Sequence, residues 1–183
     1  MAVDILNEDI RVKKKLDEAV VCILNVSQRN MDDKFRTLID ELHKKYEELM
    51  SMHPVTVNTA TSACPIGGIY LFTENGVHLY AGRTKRRINR RLKDHVGTAD
   101  DCPFAWHLAR EETGNTEASY KTEGSRKHLL NQSHFMQAYD LAKERIRQME
   151  VRYVGELDPL KQALLEIYVA VVSKAKFNDF DTH

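Results

Sequence analysis

The feature that most constrains the fold is an Asn75-Gly76 pair set between two short runs of β-forming residues. Gly68–Thr73 and Val77–Ala81 are rich in β-branched and aromatic residues. Asn-Gly between such runs is the strongest short-range signal for a tight β-hairpin. The two runs therefore predict an antiparallel pair of strands. Met149–Val154 has a similar composition and predicts a third strand.

The first fifty residues predict a helical arm, because neither Gly nor Pro occurs before Pro54. Residues 1–50 hold 9 Lys or Arg and 11 Asp or Glu, so this arm is slightly acidic and a poor candidate for binding DNA. Its apolar stripe could pack on the rest of the chain or pair with a second copy, which would give a homodimer. The clearest part of the stripe is Phe35, Leu38, Ile39, Leu42, Tyr46 and Leu49.

The remainder of the chain predicts further helices and one linker. A basic helix is expected over residues 83–96, a short helix over Phe104–Glu112 and a longer one over 125–146. Residues 51–65 contain two prolines and many small polar residues, which predicts a linker with a boundary near 52–64. The expected organisation is an arm over 1–52 and a main domain over 66–183.

The last predicted helix, Leu160–Ser173, has a clear start signal. Asp158 can cap it, and Pro159 suits its first turn. It is nearly apolar from Ala163 to Val172, which predicts burial in the centre of the domain. The fold class is therefore α+β, with a small sheet of about three strands flanked by helices and an N-terminal helical arm.

Composition excludes several classes of function. Lys+Arg and Asp+Glu are both 27 in 183 residues, so a globally basic coat for nucleic acid is excluded. No apolar run suits a membrane span, and the acidic start is unlike a secretory signal, so we expect a cytoplasmic protein without membrane partners. The three dispersed cysteines, Cys22, Cys64 and Cys102, argue against a disulfide framework and against a zinc site.

Four polar features follow one another in a specific order. They are Gly68-Ile69-Tyr70, then Tyr80-Ala81-Gly82, then Arg91 with His95 at i,i+4, and finally Glu166 followed by Asn178. This ordered set resembles the GIY-YIG nuclease family over roughly residues 66–180. Ala81 departs from the family pattern, which often has Ile there. The stretch 97–157 is longer than in the minimal family domain and is interpreted as an insertion.

The resemblance implies a metal-dependent endonuclease that hydrolyses phosphodiester bonds, with DNA as the expected substrate and RNA left open. It implies that Tyr70 orients or deprotonates the attacking water with Tyr80 as its partner. Arg91 would clamp the scissile phosphate through its two-pronged guanidinium, because that fork matches two phosphate oxygens. His95 would orient the phosphate or assist proton transfer, and Asn178 would brace the site.

Glu166 is the candidate ligand for one Mg²⁺ or Mn²⁺. It is the only carboxylate between Ala163 and Asp179, and a lone acid in an apolar helix is costly unless it has a partner. A divalent cation bound through a hard oxygen and several waters would satisfy it. A side chain that reaches the surface or pairs with an arginine would satisfy it equally well.

A concentrated basic run lies between the second strand and the Arg91 helix. Residues 83–93 hold 7 Lys or Arg and no acid. Such a run is usually a solvated face, but in a chain of zero net charge it also makes a local field suited to a phosphate backbone. The residues expected to track nucleic acid are Arg83, Lys85, Arg86, Arg87 and Arg90.

Two other functions remain open at this point. The chain could be a nucleic-acid-binding module that has kept the scaffold without turnover. It could instead be an interaction protein that acts through its helical arm. Absence of metal binding at Glu166 would favour either of these over the enzyme.

Overall fold

A computed structural model describes residues 32–98, 101–116 and 123–178. Over these ranges the chain is α+β, as predicted, with six helices and one antiparallel sheet of three strands. The elements are α1 (Asp33–Ser51), β1 (Ile66–Glu74), β2 (Val77–Arg87), α2 (Ile88–His95), α3 (Pro103–Glu112), α4 (Arg126–Leu130), α5 (Ser133–Gln148), β3 (Glu150–Gly155) and α6 (Pro159–Val172).

Two compact units divide the chain, Met1–Glu41 and Leu42–His183. Of the first unit, the structure describes residues 32–41, which form the beginning of α1. The helix predicted over residues 1–31 lies outside the described residues. The sheet and helices α2 to α6 belong to the second unit.

The predicted hairpin is confirmed. Glu74 pairs with Val77 across a two-residue turn, in which Asn75 (φ 50°) and Gly76 (φ 77°) both adopt left-handed backbone. Asn and Gly tolerate that conformation better than other residues, which is why this pair fixes the turn. The predicted third strand is also present: β3 pairs antiparallel with β1 from Gly68–Gly155 to Thr73–Glu150, to give the order β2-β1-β3.

Helices cover both faces of the sheet. Alternation along β1 directs Tyr70 and Phe72 to one face and Ile69 and Leu71 to the other, and all four side chains are buried. The first face carries the main hydrophobic core together with α2, α3 and α5. Helix α6 packs against β1 and β2, with Leu165 and Val169 buried. A sheet this small is therefore closed on both sides.

The start of α6 is as predicted, but its burial is not. Asp158 Oδ1 accepts hydrogen bonds from the backbone N–H groups of Leu160 (2.9 Å) and Lys161 (2.8 Å). The prediction of a central, buried helix is wrong, because Ile167 and Val171 are 45% and 62% exposed. An outer-layer helix buries only the face that meets the sheet, and the apolar composition of α6 continues beyond that face.

The basic run is divided between a strand and a helix. The helix predicted from residue 83 begins at Ile88, because β2 continues to Arg87 and pairs there with Ile66. Pairing with the neighbouring strand outweighs the local helical preference of Lys and Arg. The helix predicted over 125–146 is likewise two helices, separated at Asn131 and Gln132.

The segment predicted as a linker belongs to the core. Val55 and Val151 exchange two backbone hydrogen bonds of 3.0 and 2.7 Å, and Val57, Ala60 and Cys64 are buried. The stretch 97–157 similarly includes β3, a strand of the only sheet in the described residues. In the part of the chain that the structure describes, no helix is long and apolar enough to cross a membrane.

Candidate active site

Tyr70 lies in the middle of the central strand, and its ring crosses Gly82 on the neighbouring strand. The two residues pair in register, and a Cβ built on Gly82 would fall 2.4 Å from Tyr70 Oη. Any larger residue at position 82 would therefore displace the phenol. The glycine that ends Tyr80-Ala81-Gly82 makes room for the tyrosine that ends Gly68-Ile69-Tyr70.

The Tyr70 hydroxyl contacts both polar residues of α2. Arg91 Nε–H donates to Tyr70 Oη at 3.3 Å, and His95 Nε2 lies 2.8 Å from the same oxygen. Arg91 and His95 are four residues apart, so one helical face presents both of them. Tyr70 and His95 are each 1% exposed, which makes this a buried polar contact rather than a surface one.

Burial keeps this pair neutral. It raises the pKa of Tyr70 well above the ordinary value, with further raising from Tyr80 and Glu166 and an opposing effect of Arg91. Burial also lowers the pKa of His95 to about 3, and the positive charge of Arg91 adds to that shift. At neutral pH, Tyr70 is therefore a phenol and His95 a neutral imidazole, which can accept a proton at one ring nitrogen.

Tyr80 lies beside this pair on the same face of the sheet. Its ring stacks on Phe104 of α3, with centroids 4.9 Å apart and planes at 9°, and it meets His95 edge-on at 5.9 Å. Burial and, to a lesser extent, the negative charge of Glu166 raise the pKa of Tyr80 to about 12. The second tyrosine is thus a fixed, neutral hydroxyl near the first.

Glu166 projects from α6 and forms an ion pair with Arg83 of β2. Arg83 Nε lies 2.9 Å from Glu166 Oε2, and the side chains are 44% and 24% exposed. Burial raises the pKa of Glu166, while Arg83 opposes that shift through its charge and its hydrogen bonds. Pairing with an arginine was one of the two alternatives to a metal, and it is the contact that the structure contains.

A single carboxylate sets what kind of metal site is feasible here. The described residues contain no group of three or more His, Cys, Asp or Glu side chains that could enclose a metal ion. Mg²⁺ does not require such a group, since it commonly keeps several waters and binds one or two carboxylates together with substrate phosphate. Glu166 fits that pattern, with Arg83 as the cation that Mg²⁺ must displace.

Asn178 binds the backbone of β2 on the side away from β1. Ala81 N–H donates to Asn178 Oδ1 at 2.7 Å, and Asn178 Nδ2 donates to the Ala81 carbonyl at 2.8 Å. Phe177 N–H donates to the Leu79 carbonyl at 2.8 Å. These bonds continue the pairing of an edge strand, so Asn178 holds the backbone between Tyr80 and Gly82.

The five basic residues expected to track nucleic acid have different surroundings. Arg83 pairs with Glu166, and Arg86 pairs with Asp94 at 2.6 Å. Arg87 donates to the carbonyls of Ser62 (2.8 Å) and Cys64 (3.1 Å). Lys85 and Arg90 are exposed side chains at the same β2–α2 corner. Part of the basic run therefore serves the fold as well as the surface.

Sequence reasoning missed Cys102. Its Sγ lies 3.1 Å from His95 Nδ1, on the far side of the ring from Tyr70. The sequence offered no signal for this contact, because the thiol reaches His95 only through the path of the chain between α2 and α3. Phe104 is a core residue of α3, and its stacking on Tyr80 also makes it a wall of this site.

Compared with protein-family models, curated proteins and solved structures, the chain matches none.

Proposed function

We propose that this chain is a metal-dependent endonuclease that hydrolyses phosphodiester bonds, with DNA as its substrate. The observation that carries the proposal is the hydrogen-bonded contact of Tyr70 with Arg91 and His95. The Tyr80 ring lies beside His95, and Glu166 is close enough to influence both phenols. These residues come from four separate elements, β1, β2, α2 and α6.

Arg91 and Tyr70 would act on the phosphate and on the water. The Arg91 guanidinium contacts Tyr70 through Nε, and its other N–H groups are suited to phosphate oxygens. A water beside Tyr70 would give one proton to the phenol oxygen as the phenol proton passes to His95 Nε2, 2.8 Å away. The resulting hydroxide attacks phosphorus, and the 3′ oxygen leaves with the electron pair of the broken P–O bond.

The direction of the pKa shifts favours a concerted transfer. Because burial raises the pKa of Tyr70, a free phenolate is costly, so the phenol must lose its proton as it gains one. A bound phosphate adds negative charge that raises the pKa of His95, which makes the imidazole a better acceptor than it is in the empty protein. Tyr80 supplies a second neutral hydroxyl next to the reacting atoms.

Glu166 is the residue that would hold the metal. When bound, a divalent cation supplies charge stabilisation for the pentavalent phosphorus and lowers the pKa of water. The supporting observation is the chemistry of the donor: a hard carboxylate on the rim of the site, part-exposed, and paired with a cation that can be replaced.

Nucleic acid would approach across the β2–α2 corner. Lys85 and Arg90 are exposed there, next to the Arg91 helix position, in a chain with no net charge. Contacts of this kind bind phosphates without reading sequence and weaken as salt is raised. We therefore expect binding with a marked salt dependence.

One observation favours a second candidate, a nucleic-acid-binding module without turnover. Glu166 already has an ion-pair partner in Arg83, and Tyr70 already has two partners. A site whose polar groups already have hydrogen-bond or ion-pair partners within the chain can serve the stability of the fold without catalysing a reaction. Dimerisation through the helical arm stays a separate prediction, which a molecular-mass measurement in solution would test.

The test is a cleavage assay. Purified protein is incubated with supercoiled plasmid, single-stranded DNA and RNA, with Mg²⁺, Mn²⁺ or EDTA. The proposal predicts cutting that requires the metal and is lost in Glu166→Ala and in Tyr70→Phe. Tyr153→Phe is the matched control, since Tyr153 pairs with Tyr70 on the other side of β1. Binding of nucleic acid without cutting of any substrate would favour the second candidate.

A further inference from the structure

The buried thiol of Cys102 ends a chain of hydrogen bonds that begins at Tyr70. His95 Nε2 lies 2.8 Å from Tyr70 Oη, and His95 Nδ1 lies 3.1 Å from Cys102 Sγ. All three side chains are at most 2% exposed. Each nitrogen of the imidazole therefore has one partner, and water does not compete for either.

Cys102 is itself held from two directions. Its Sγ accepts the backbone N–H of Ala105 at 3.4 Å, as the cap of α3, and its backbone N–H donates to Tyr139 Oη at 3.0 Å. Tyr139 belongs to α5 and is fully buried. The position of the sulfur is thus fixed by α3 and α5, both in the stretch 97–157. The fixed sulfur in turn orients the imidazole of His95.

The donors and acceptors of the chain can be assigned by comparing two arrangements. In the first, the Tyr70 hydroxyl donates to His95 Nε2, and Nδ1–H donates to Cys102 Sγ. In the second, the thiol donates to Nδ1, Nε2–H donates to Tyr70 Oη, and the phenol proton loses this acceptor. A buried O–H without an acceptor is more costly than a buried S–H without one, because the thiol is the weaker donor. The first arrangement is therefore the stable one.

We propose that Cys102 is a positioning residue that accepts the Nδ1–H of His95 and so leaves Nε2 free to take the proton of Tyr70. Its importance for turnover rests on the proposed nuclease function, whereas the hydrogen-bond arrangement does not. Without the sulfur acceptor, Nδ1–H is left buried without a partner, so the population of His95 protonated on Nε2, which donates to Tyr70, rises. That tautomer has no acceptor site at Nε2 for the phenol proton.

The tautomer of His95 is measurable directly. Protein labelled with ¹⁵N-histidine gives separate signals for a protonated and an unprotonated ring nitrogen in long-range ¹H–¹⁵N spectra. The proposal predicts that His95 carries its proton on Nδ1 in the unmodified protein at neutral pH. A proton on Nε2 there would overturn it, and this result needs no variant to fold.

Variants separate a positioning role from a structural one. Cys102→Ala should increase the population of His95 protonated on Nε2 and lower kcat by roughly tenfold with KM for DNA unchanged, as expected for loss of a group that orients a ligating or reacting side chain. Cys102→Ser retains an acceptor and should restore both the tautomer and most of kcat. Cys64→Ala is the matched control, because Cys64 is also buried but its Sγ has a different partner. It accepts a hydrogen bond of 3.0 Å from the Asn89 N–H.

The outcomes distinguish this inference from the proposed function. If the tautomer shifts in Cys102→Ala while no form of the protein cuts nucleic acid, the proposed function fails and the positioning of His95 stands. If the protein cuts and Cys102→Ala changes neither tautomer nor kcat, the inference fails and the proposed function stands.

Discussion

Arg83 Nε lies 2.9 Å from Glu166 Oε2, so the carboxylate proposed to bind metal is paired with a cation of the same chain. The pair joins β2 to α6 and lies at the rim of the site, where both side chains keep some exposure. A divalent cation at Glu166 has to overcome the positive charge of Arg83. This relationship makes the affinity for metal adjustable by substitution at position 83.

Arg83→Gln should bind metal more tightly. Removal of one positive charge next to Glu166 is expected to lower the Mg²⁺ concentration for half-maximal cleavage by about two- to fivefold, an effect limited by solvent screening of a part-exposed pair. The measurement is a Mg²⁺ titration of the cleavage rate, with Arg86→Gln as control, because Arg86 pairs with Asp94 instead. An unchanged half-maximal concentration would mean that the metal does not bind at Glu166.

Gly82→Ala should damage the site through Tyr70. The new Cβ would lie 2.4 Å from Tyr70 Oη, so the ring must move away from Arg91 and His95. Overpacking of this kind costs about 1–3 kcal/mol of unfolding free energy, and we expect cleavage to fall with it. Urea denaturation and single-turnover kinetics measure the two effects. In the control Gly97→Ala the new Cβ has no neighbour nearer than 3.4 Å, and stability there should change little.

Asn178→Ala should loosen the edge of the sheet. The substitution removes two hydrogen bonds to Ala81, of 2.7 and 2.8 Å, each worth about 0.5–1.5 kcal/mol. We predict a loss of about 1–3 kcal/mol in unfolding free energy and a lower cleavage rate, because β2 carries Tyr80 and Gly82 on either side of Ala81. Chemical denaturation measures the unfolding free energy. Asn131→Ala, at an exposed position after α4, should leave the unfolding free energy and the cleavage rate nearly unchanged.

His95 should make the fold sensitive to mild acid. Burial lowers its pKa from an ordinary 6.5 to about 3 in the folded protein, so below pH 6.5 the unfolded chain binds a proton that the folded chain does not. The stability that this group contributes is therefore present above pH 6.5 and falls as pH drops toward 3, by about 1 kcal/mol between pH 7.5 and 5.5.

The comparison that isolates His95 uses His95→Gln. Between pH 7.5 and 5.5, the unfolding free energy of the variant should change by about 1 kcal/mol less than that of the unmodified protein, because carboxylates contribute equally to both proteins. Urea denaturation at the two pH values measures it, and His134→Gln, at an exposed position, is the control. An identical pH dependence in His95→Gln and the unmodified protein would contradict a buried neutral imidazole.

Local signals were enough to predict the elements that local chemistry decides. The Asn75-Gly76 turn and the Asp158-Pro159 helix start are both present, because positive φ and a side-chain cap depend on a few adjacent residues. The predicted start of the basic helix was wrong, because pairing with Ile66 extends β2 as far as Arg87. Strand pairing joins residues that are distant in sequence, so local signals do not predict it.

The candidate site was only partly predictable for the same reason. The i,i+4 spacing of Arg91 and His95 follows from helix geometry, and the structure brings both to Tyr70. The contact of Cys102 with His95 depends on where α3 begins relative to α2, which no periodicity encodes. The partner of Glu166 was one of several candidates from sequence, and the choice of Arg83 depends on the packing of α6 beside β2.

The most direct test of the central claim is single-turnover cleavage of plasmid DNA in Mn²⁺ by the unmodified protein and by Glu166→Gln. Glutamine keeps the size of the side chain and its ability to accept a hydrogen bond from Arg83, but it lacks the negative charge that a divalent cation needs. We predict metal-dependent cleavage by the unmodified protein and a loss of at least about 100-fold in Glu166→Gln, with DNA binding retained. Equal cleavage by the two proteins, or cleavage that persists in EDTA, would contradict the account.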